Sequence, residues 1–186
     1  MTRDIHCDAA ADKVPHQPAL VPHSCAPAPA AGGPRSGLTV CIGASAGGHL
    51  SQLLRLAPAW AGYRVIGVST LELARPSLTA FGPVFVIGEC NRHHPLRALA
   101  VVWRCVRIVR QYRPDVVVTT GSLPLAILCL VARLWRARIV WIDSVTNVTR
   151  LSMSGRLVRR FADLVLTQWP ALAARYRRVE YAGALV

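Results

Sequence analysis

Acidic residues are scarce in this chain. It holds 9 Asp and Glu against 22 Lys and Arg in 186 residues, a formal charge of +13. The excess of positive charge implies an acidic partner: nucleic acid, anionic lipid or a phosphorylated substrate. Lysine is almost missing, with Lys13 alone beside 21 arginines. A GC-rich genome produces the same bias, so arginine over lysine is not read as chemistry. Aromatics make up 6% and lie mostly in apolar patterns, with the arginines spread between them. That argues against a nucleic-acid module, which wants a basic groove with stacking aromatics or a helix-turn-helix.

Other absences narrow the class further. No Cys-x-x-Cys occurs among the six cysteines at 7, 25, 41, 90, 105 and 129. Cys41, Cys105 and Cys129 sit in apolar patterns and read as small buried hydrophobes in a reduced compartment. His6, Cys7, His16, His23 and Cys25 are irregularly spaced, so no zinc site is expected. Asp4, Asp8 and Asp12 interrupt the N-terminus, which lacks a signal-peptide core. The most hydrophobic stretch, Val116 to Trp135, is broken by Thr119, Thr120, Gly121, Ser122, Pro124 and Arg133. It reads as strand, turn and helix, not as a membrane span.

What is present is apolar content of 53%, enough for one substantial core. Residues 1–36 carry six prolines and read as a disordered tail. Residues 37–186 read as one domain. Strands are expected at 38–42, 64–69, 84–87, 115–119, 138–142 and 164–167. Helices are expected from His49 to about Trp60, then at 95–112, 123–135, 151–161 and 171–176. Short β-branched runs between helices predict an α/β, Rossmann-like, doubly wound parallel sheet. Ligands bind such sheets beyond the carboxyl ends of the strands. The segments placed there are Gly43–His49, Thr120–Leu123, Asp143–Asn147 and Gln168–Trp169.

The first of these organises the chain. Gly43-Ala44-Ser45-Ala46-Gly47-Gly48-His49 joins a buried strand to a helix. Such a loop brings backbone N–H groups close to an anion, typically phosphate. Its glycines fit neither the dinucleotide fingerprint nor a Walker loop. A tight turn that binds nothing has the same spacing.

The helix at 95–112 carries Leu96, Leu99, Val102, Trp103, Val106 and Val109 at helical spacing, with Arg97, Arg104, Arg107 and Arg110 on another arc. Basic and apolar arcs with a tryptophan between them form a membrane-surface pattern, and an anionic bilayer is the expected partner. A core helix with a solvated arginine face is the alternative.

Three ordered motifs carry a resemblance. Gly43 to His49 matches Gly-x-Ser/Gly-x-Gly-Gly-His. Residues 151–157 match Leu-Ser-x-Ser-Gly-Lys/Arg-Leu, and Gln168-Trp169-Pro170 matches Gln-Trp-Pro. Together they resemble the anchoring-subunit family of the two-part UDP-GlcNAc transferase that extends dolichol-diphosphate-GlcNAc, with its bacterial PssD-type relatives. The resemblance covers about residues 38–186. It implies the N-terminal, acceptor-binding half of a GT-B glycosyltransferase related to MurG, with the nucleotide-sugar-binding catalytic half on a partner subunit. The implied acceptor is a polyprenyl-diphosphate-linked saccharide and the donor a UDP-sugar; no cofactor or metal is implied. Eukaryotic members carry an N-terminal membrane helix and tend to have Glu where Asp143 stands. Both departures lead to the expectation of a bacterial, peripheral protein at the cytoplasmic face of the inner membrane, serving exopolysaccharide or capsule assembly.

Within that frame, Gly43, Ser45, Gly47 and Gly48 are expected to hold acceptor phosphate by backbone donors. Arg150 and Arg156 add charge-assisted bonds, and Ser154 and Gly155 are a helix-packing contact or part of the phosphate site. His49 or Asp143 is expected to accept the acceptor hydroxyl's proton. Gln168-Trp169-Pro170 is expected to build an interface or a turn. Two other readings stay open: a scaffold that recruits a self-sufficient enzyme to the membrane, and a self-contained nucleotide-sugar or dinucleotide enzyme. The latter lacks a well-placed acidic ribose partner, since Glu72 falls where a loop begins.

Overall fold

The computed structural model describes residues 37–90 and 95–185. The expected tail, with Cys7 and Cys25, lies outside the described residues. Seven parallel strands form one sheet: β1 Thr39–Ala44, β2 Arg64–Ser69, β3 Val84–Val86, β4 Val116–Thr120, β5 Arg138–Ile142, β6 Leu164–Thr167 and β7 Glu180–Tyr181. Their order is β3-β2-β1-β4-β5-β6-β7. The chain works outward from β1 to β3, crosses back, and works outward again from β4. That reversal opens a crevice beyond the carboxyl ends of β1 and β4.

Alternation along β1 sends Val40, Ile42 and Ala44 to one face, where Leu50, Leu53, Trp60 and Leu78 cover them. These come from α1 Gly48–Arg55, from a 3-10 turn at Ala57–Trp60 and from α2 Arg75–Thr79. Cys41 points to the other face, into a larger cluster with Val101, Cys105, Leu125, Leu128, Ile139 and Trp141. Helices α3 Pro95–Tyr112, α4 Leu123–Leu134 and α5 Met153–Val158 cover that side, and α6 Pro170–Arg175 precedes β7. Cys41, Cys105 and Cys129 are buried free thiols. Burial pushes Cys105 and Cys129 up to about 12 and Cys41 higher still, so they are inert apolar fillers.

Two of the scarce carboxylates serve the opposite end of the sheet. Asp115 Oδ2 accepts from Thr39 N at 2.7 Å, and Asp163 Oδ2 accepts from Ile139 N at 2.8 Å. Each side chain closes a strand start that the ladder leaves open.

The expected elements recur with adjusted ends. The first helix stops at Arg55 instead of Trp60, because Pro58 lacks an N–H and the chain tightens into a 3-10 turn. The helix expected at 151–161 is shorter: α5 starts at Met153, because Ser152 caps it by accepting from Gly155 N, and it ends at Val158 in a turn over 159–161. The α2 helix and the two-residue β7 are elements that the sequence pattern did not announce. Among the described residues no helix is long and apolar enough to cross a membrane, and no three His, Cys, Asp or Glu stand together to hold a metal ion.

Candidate functional site

The β1–α1 connection places Gly47 and Gly48 at the mouth of the crevice. Gly47 has φ 77° and ψ −142°, a conformation that only glycine adopts at little cost. A Cβ built on Gly47 or Gly48 meets nothing within 4 Å, so both face open space. No side chain caps α1 and no acidic residue lies in its first turn. Its N–H groups are therefore available to an anion. Gly43, expected among the phosphate-binding glycines, lies instead inside β1. A Cβ there would stand 2.9 Å from Thr119 Cγ2 and 3.0 Å from Leu125 Cδ2. Its missing side chain serves the packing of α4 on the sheet. Ser45 is half-buried just after the strand.

His49 sits in the first turn of α1. Thr120 Oγ1, at the end of β4, donates to His49 O at 2.8 Å and clips this turn to the sheet edge. The imidazole lies close against Gly121, whose φ is +76°; a Cβ there would come within 2.6 Å of His49 Cε1 and 2.9 Å of Nδ1. His49 Nδ1 is buried without a hydrogen-bond partner. Desolvation lowers its pKa below the usual imidazole value, with the charge of Asp143 partly opposing. The ring is thus neutral near pH 7, the state that accepts a proton.

Asp143 was the other expected base, and the structure gives it a different task. The residue is 1% exposed. Its Oδ1 accepts from Ser152 Oγ at 2.5 Å and from Trp141 Nε1 at 3.4 Å, and Oδ2 accepts from Ser152 N at 3.0 Å. Donors from inside the fold occupy the carboxylate, which anchors the 144–152 loop to β5. The motif at 151–157 is part of the same anchor. Ser152 caps α5, and a Cβ on Gly155 would come within 2.9 Å of both Asp143 Oδ1 and Ser152 Oγ. Gly155 is buried packing, Ser154 is half-buried, and Arg150 and Arg156 are exposed.

Gln168 completes the floor. Its Nε2 donates to Gln52 Oε1 of α1 at 2.9 Å and to Asp143 O at 3.1 Å, and its Oε1 accepts from Leu185 N at 2.8 Å. Trp169 Nε1 donates to Val145 O at 2.7 Å. Neither Gln52 nor Leu185 was singled out from sequence. Both use side-chain or backbone amides, which carry no pattern until the fold brings them together.

The α3 helix turns a different face inward than its arginine arc suggested. Val101, Cys105, Ile108 and Val109 are buried. Leu96, Leu99 and Trp103 are 80%, 65% and 61% exposed, and Arg107 lies over the Trp103 ring at 5.8 Å. A groove of about 380 Å³ runs past Trp103, Val106, Arg107 and Arg110. Arg104 leaves this surface: its Nη1 donates to Ile87 O at 2.9 Å, close over Gly88. Arg97 lines a second cavity, of about 280 Å³, shared with Thr70, Cys90 and Ser122. The crevice thus brings together Gly47, Gly48, His49 and Gly121, floored by Asp143 and Gln168. Arg107, Arg110 and Trp103 form a separate surface on α3.

Residues 87–185 match the family model described as "Oligosaccharide biosynthesis protein Alg14 like". A UDP-N-acetylglucosamine transferase subunit ALG14 from Yarrowia lipolytica is 40% identical over 87 residues, 44% of this chain and 40% of that protein. The protein of the same name from Eremothecium gossypii is 30% identical over 178 residues, covering 79% of this chain and 80% of that one. That from Rattus norvegicus is 27% identical over 184 residues, with 82% and 85% covered. Among solved structures, Acinetobacter baumannii MurG superposes with a TM-score of 0.65 at 18% identity, over 78% of this chain and 45% of that chain. A UDP complex of S. aureus MnaA gives 0.62 at 15% identity, over 80% and 45%. At these identities the likeness shows the fold: the matched part of this chain corresponds to somewhat less than half of each larger molecule.

Proposed function

The chain belongs to the Alg14-like family of oligosaccharide biosynthesis proteins, and from that premise we propose that it is the acceptor-binding subunit of a two-component glycosyltransferase. The donor is a UDP-sugar and the acceptor a polyprenyl-diphosphate-linked saccharide. The observation that carries this reading is the α1 N-terminus. Open backbone at Gly47 and Gly48 stands beside a neutral imidazole at the switch point of the sheet. The backbone donors hold a phosphate of the acceptor. The His49 imidazole takes the proton of the attacking hydroxyl as that oxygen bonds to the anomeric carbon of the donor sugar. UDP leaves with the bonding electron pair, stabilised by the partner subunit, which holds the donor. Arg107, Arg110, Trp103 and the exposed leucines of α3 rest on an anionic membrane surface.

The narrower form of this reading places the enzyme in exopolysaccharide or capsule assembly, peripheral to the cytoplasmic face of a bacterial inner membrane. It rests on Asp143 in place of Glu; the relatives compared above are from yeasts and rat. Acceptors built on an unsaturated polyprenyl and on an α-saturated dolichyl chain separate the two settings. The general reading is tested by reconstitution. The purified chain alone transfers no sugar from UDP-N-acetylglucosamine, and co-expression with a nucleotide-sugar-binding partner restores transfer. Robust turnover by the isolated chain overturns it.

A further inference from the structure

Among the described residues, four that are not glycine have positive φ: Arg113, Ser122, Arg136 and Arg178. The three arginines closely follow the ends of α3, α4 and α6, where the left-handed turn that closes a helix falls. Ser122 is different. It stands at the N-cap of α4 with φ 83° and ψ 149°, a region that only glycine enters at little cost. A serine at an N-cap ordinarily has negative φ and accepts a hydrogen bond from the second or third helical N–H. Ser122 makes no such bond, and its Oγ is buried without a partner.

A second unmet group lies beside the same turn. His49 Nδ1 is buried without a hydrogen-bond partner. A Cβ on Gly121 would stand 2.9 Å from it. Gly121 Cα is one bond from that point, and the carbonyl oxygen is two bonds from Cα. The backbone of Gly121 is therefore within reach of Nδ1, yet its carbonyl does not accept from it. One rotation answers both faults. Turning over the peptide plane between Gly121 and Ser122 changes ψ at 121 and φ at 122 together and leaves the chain path nearly unchanged. Gly121 tolerates the new ψ, and Ser122 returns to the allowed side of φ. The helix is not disturbed. Its first bond, Ala126 N to Ser122 O at 3.1 Å, uses the carbonyl of the next peptide. The C=O and N–H of one peptide point opposite ways, so the rotation exchanges the group presented to the imidazole.

We propose that this peptide flips, and that the flipped Gly121 carbonyl accepts from His49 Nδ1–H. That bond fixes the tautomer in which Nε2 carries the lone pair, so Nε2 is the atom that takes the proton of the attacking hydroxyl. Gly121 is then a positioning residue for His49, and Ser122 is the residue that makes the unflipped state costly. The structure shows the resting, unflipped state. This inference rests on the reading of His49 as the base and adds what sets its tautomer.

The full chain labelled with ¹⁵N-histidine tests it. The Nδ1 and Nε2 shifts of His49, assigned with His49→Gln, report which nitrogen holds the proton. Wild type populates the Nδ1–H tautomer. Ser122→Gly, in which positive φ costs little, lowers the ratio of this tautomer to the other about fivefold or more. Its urea midpoint rises, because the strain is gone. Ser122→Ala penalises positive φ as serine does and restores the wild-type tautomer ratio. In the enzyme reconstituted with its partner, Ser122→Gly lowers kcat about fivefold or more with acceptor KM unchanged, and Ser122→Ala recovers it. The same tautomer ratio in wild type and Ser122→Gly overturns the flip and leaves the reading of His49 as the base standing. A ratio that shifts while kcat stays equal in all three chains overturns that reading as well.

Discussion

At the residue scale, the neutral state of His49 comes from burial. Desolvation holds its pKa below the ordinary 6.5, and Asp143 offsets only part of this. The folded chain therefore binds this proton less readily than the unfolded chain does. Stability falls as pH drops below about 6.5, because there the unfolded state holds more protons. His49→Gln removes that part of the acid sensitivity, which urea titrations across pH 5 to 7 measure. His49→Ala in the reconstituted enzyme lowers kcat by about 10²-fold or more with little change in acceptor KM, the signature of a lost base; single-turnover assays check it, and unchanged turnover removes His49 from the chemistry. Asp143 behaves differently because its partners are internal. Asp143→Ala leaves Ser152 N, Ser152 Oγ and Trp141 Nε1 without their acceptor. The loss is about 3 kcal/mol of stability, read by urea denaturation, and Asp143→Asn loses less. These two residues looked alike in the sequence, each a polar group at the correct sheet edge, His49 opening a helix and Asp143 following a strand. What separates them is the company of Ser152 and Trp141 around one and of Gly121 against the other, and only the fold supplies that.

Elements were more legible than their faces. Strand and helix order followed from short β-branched runs and 3.6-residue spacing, because parallel strands buried on both faces read as continuous apolar runs. The phase of α3 did not follow. Its apolar residues occupy two stripes, and polarity alone does not say which one meets the sheet. Packing against α4 settles it, burying Val101, Cys105, Ile108 and Val109 and turning Leu99 and Trp103 outward. The arginine arc divides accordingly. Arg107→Glu with Arg110→Glu lowers partition onto anionic vesicles by more than about tenfold, since each basic residue near the surface contributes about 1 kcal/mol. Leu99→Ser with Trp103→Ser weakens it on neutral vesicles as well. Arg104→Glu instead lowers thermal stability, because its guanidinium holds Ile87 O. Vesicle flotation beside thermal melts separates the two outcomes. Equal flotation of wild type and the Arg107/Arg110 variant removes the bilayer from this face.

At the scale of the whole molecule, one buried amide pair spans the switch point. Gln52 belongs to α1 on the β1 side, and Gln168 follows β6, 116 residues later. Gln168 also holds Asp143 O and Leu185 N. One side chain thus ties the first helix, the end of β5 and the segment after β7 across the mouth of the crevice. The Gln-Trp-Pro motif was visible in the sequence, but its partner Gln52 lay inside an ordinary amphipathic helix with nothing to mark it. If the tie fixes α1, then His49, one turn before Gln52, shares in it. Gln168→Met strands Gln52 Oε1, Asp143 O and Leu185 N inside the fold, and about 2 to 3 kcal/mol of stability is lost. Gln52→Met loses less, since Gln168 keeps its other two partners. The double variant is less destabilised than the sum of the two by about 1 kcal/mol, because the pair is then removed together. A double-mutant cycle in urea measures this coupling. The same cycle on kcat tests whether the tie reaches the chemistry. Strict additivity in both would mean that the two halves of the sheet hold their register without the amides, and that His49 is placed by Thr120 and Gly121 alone.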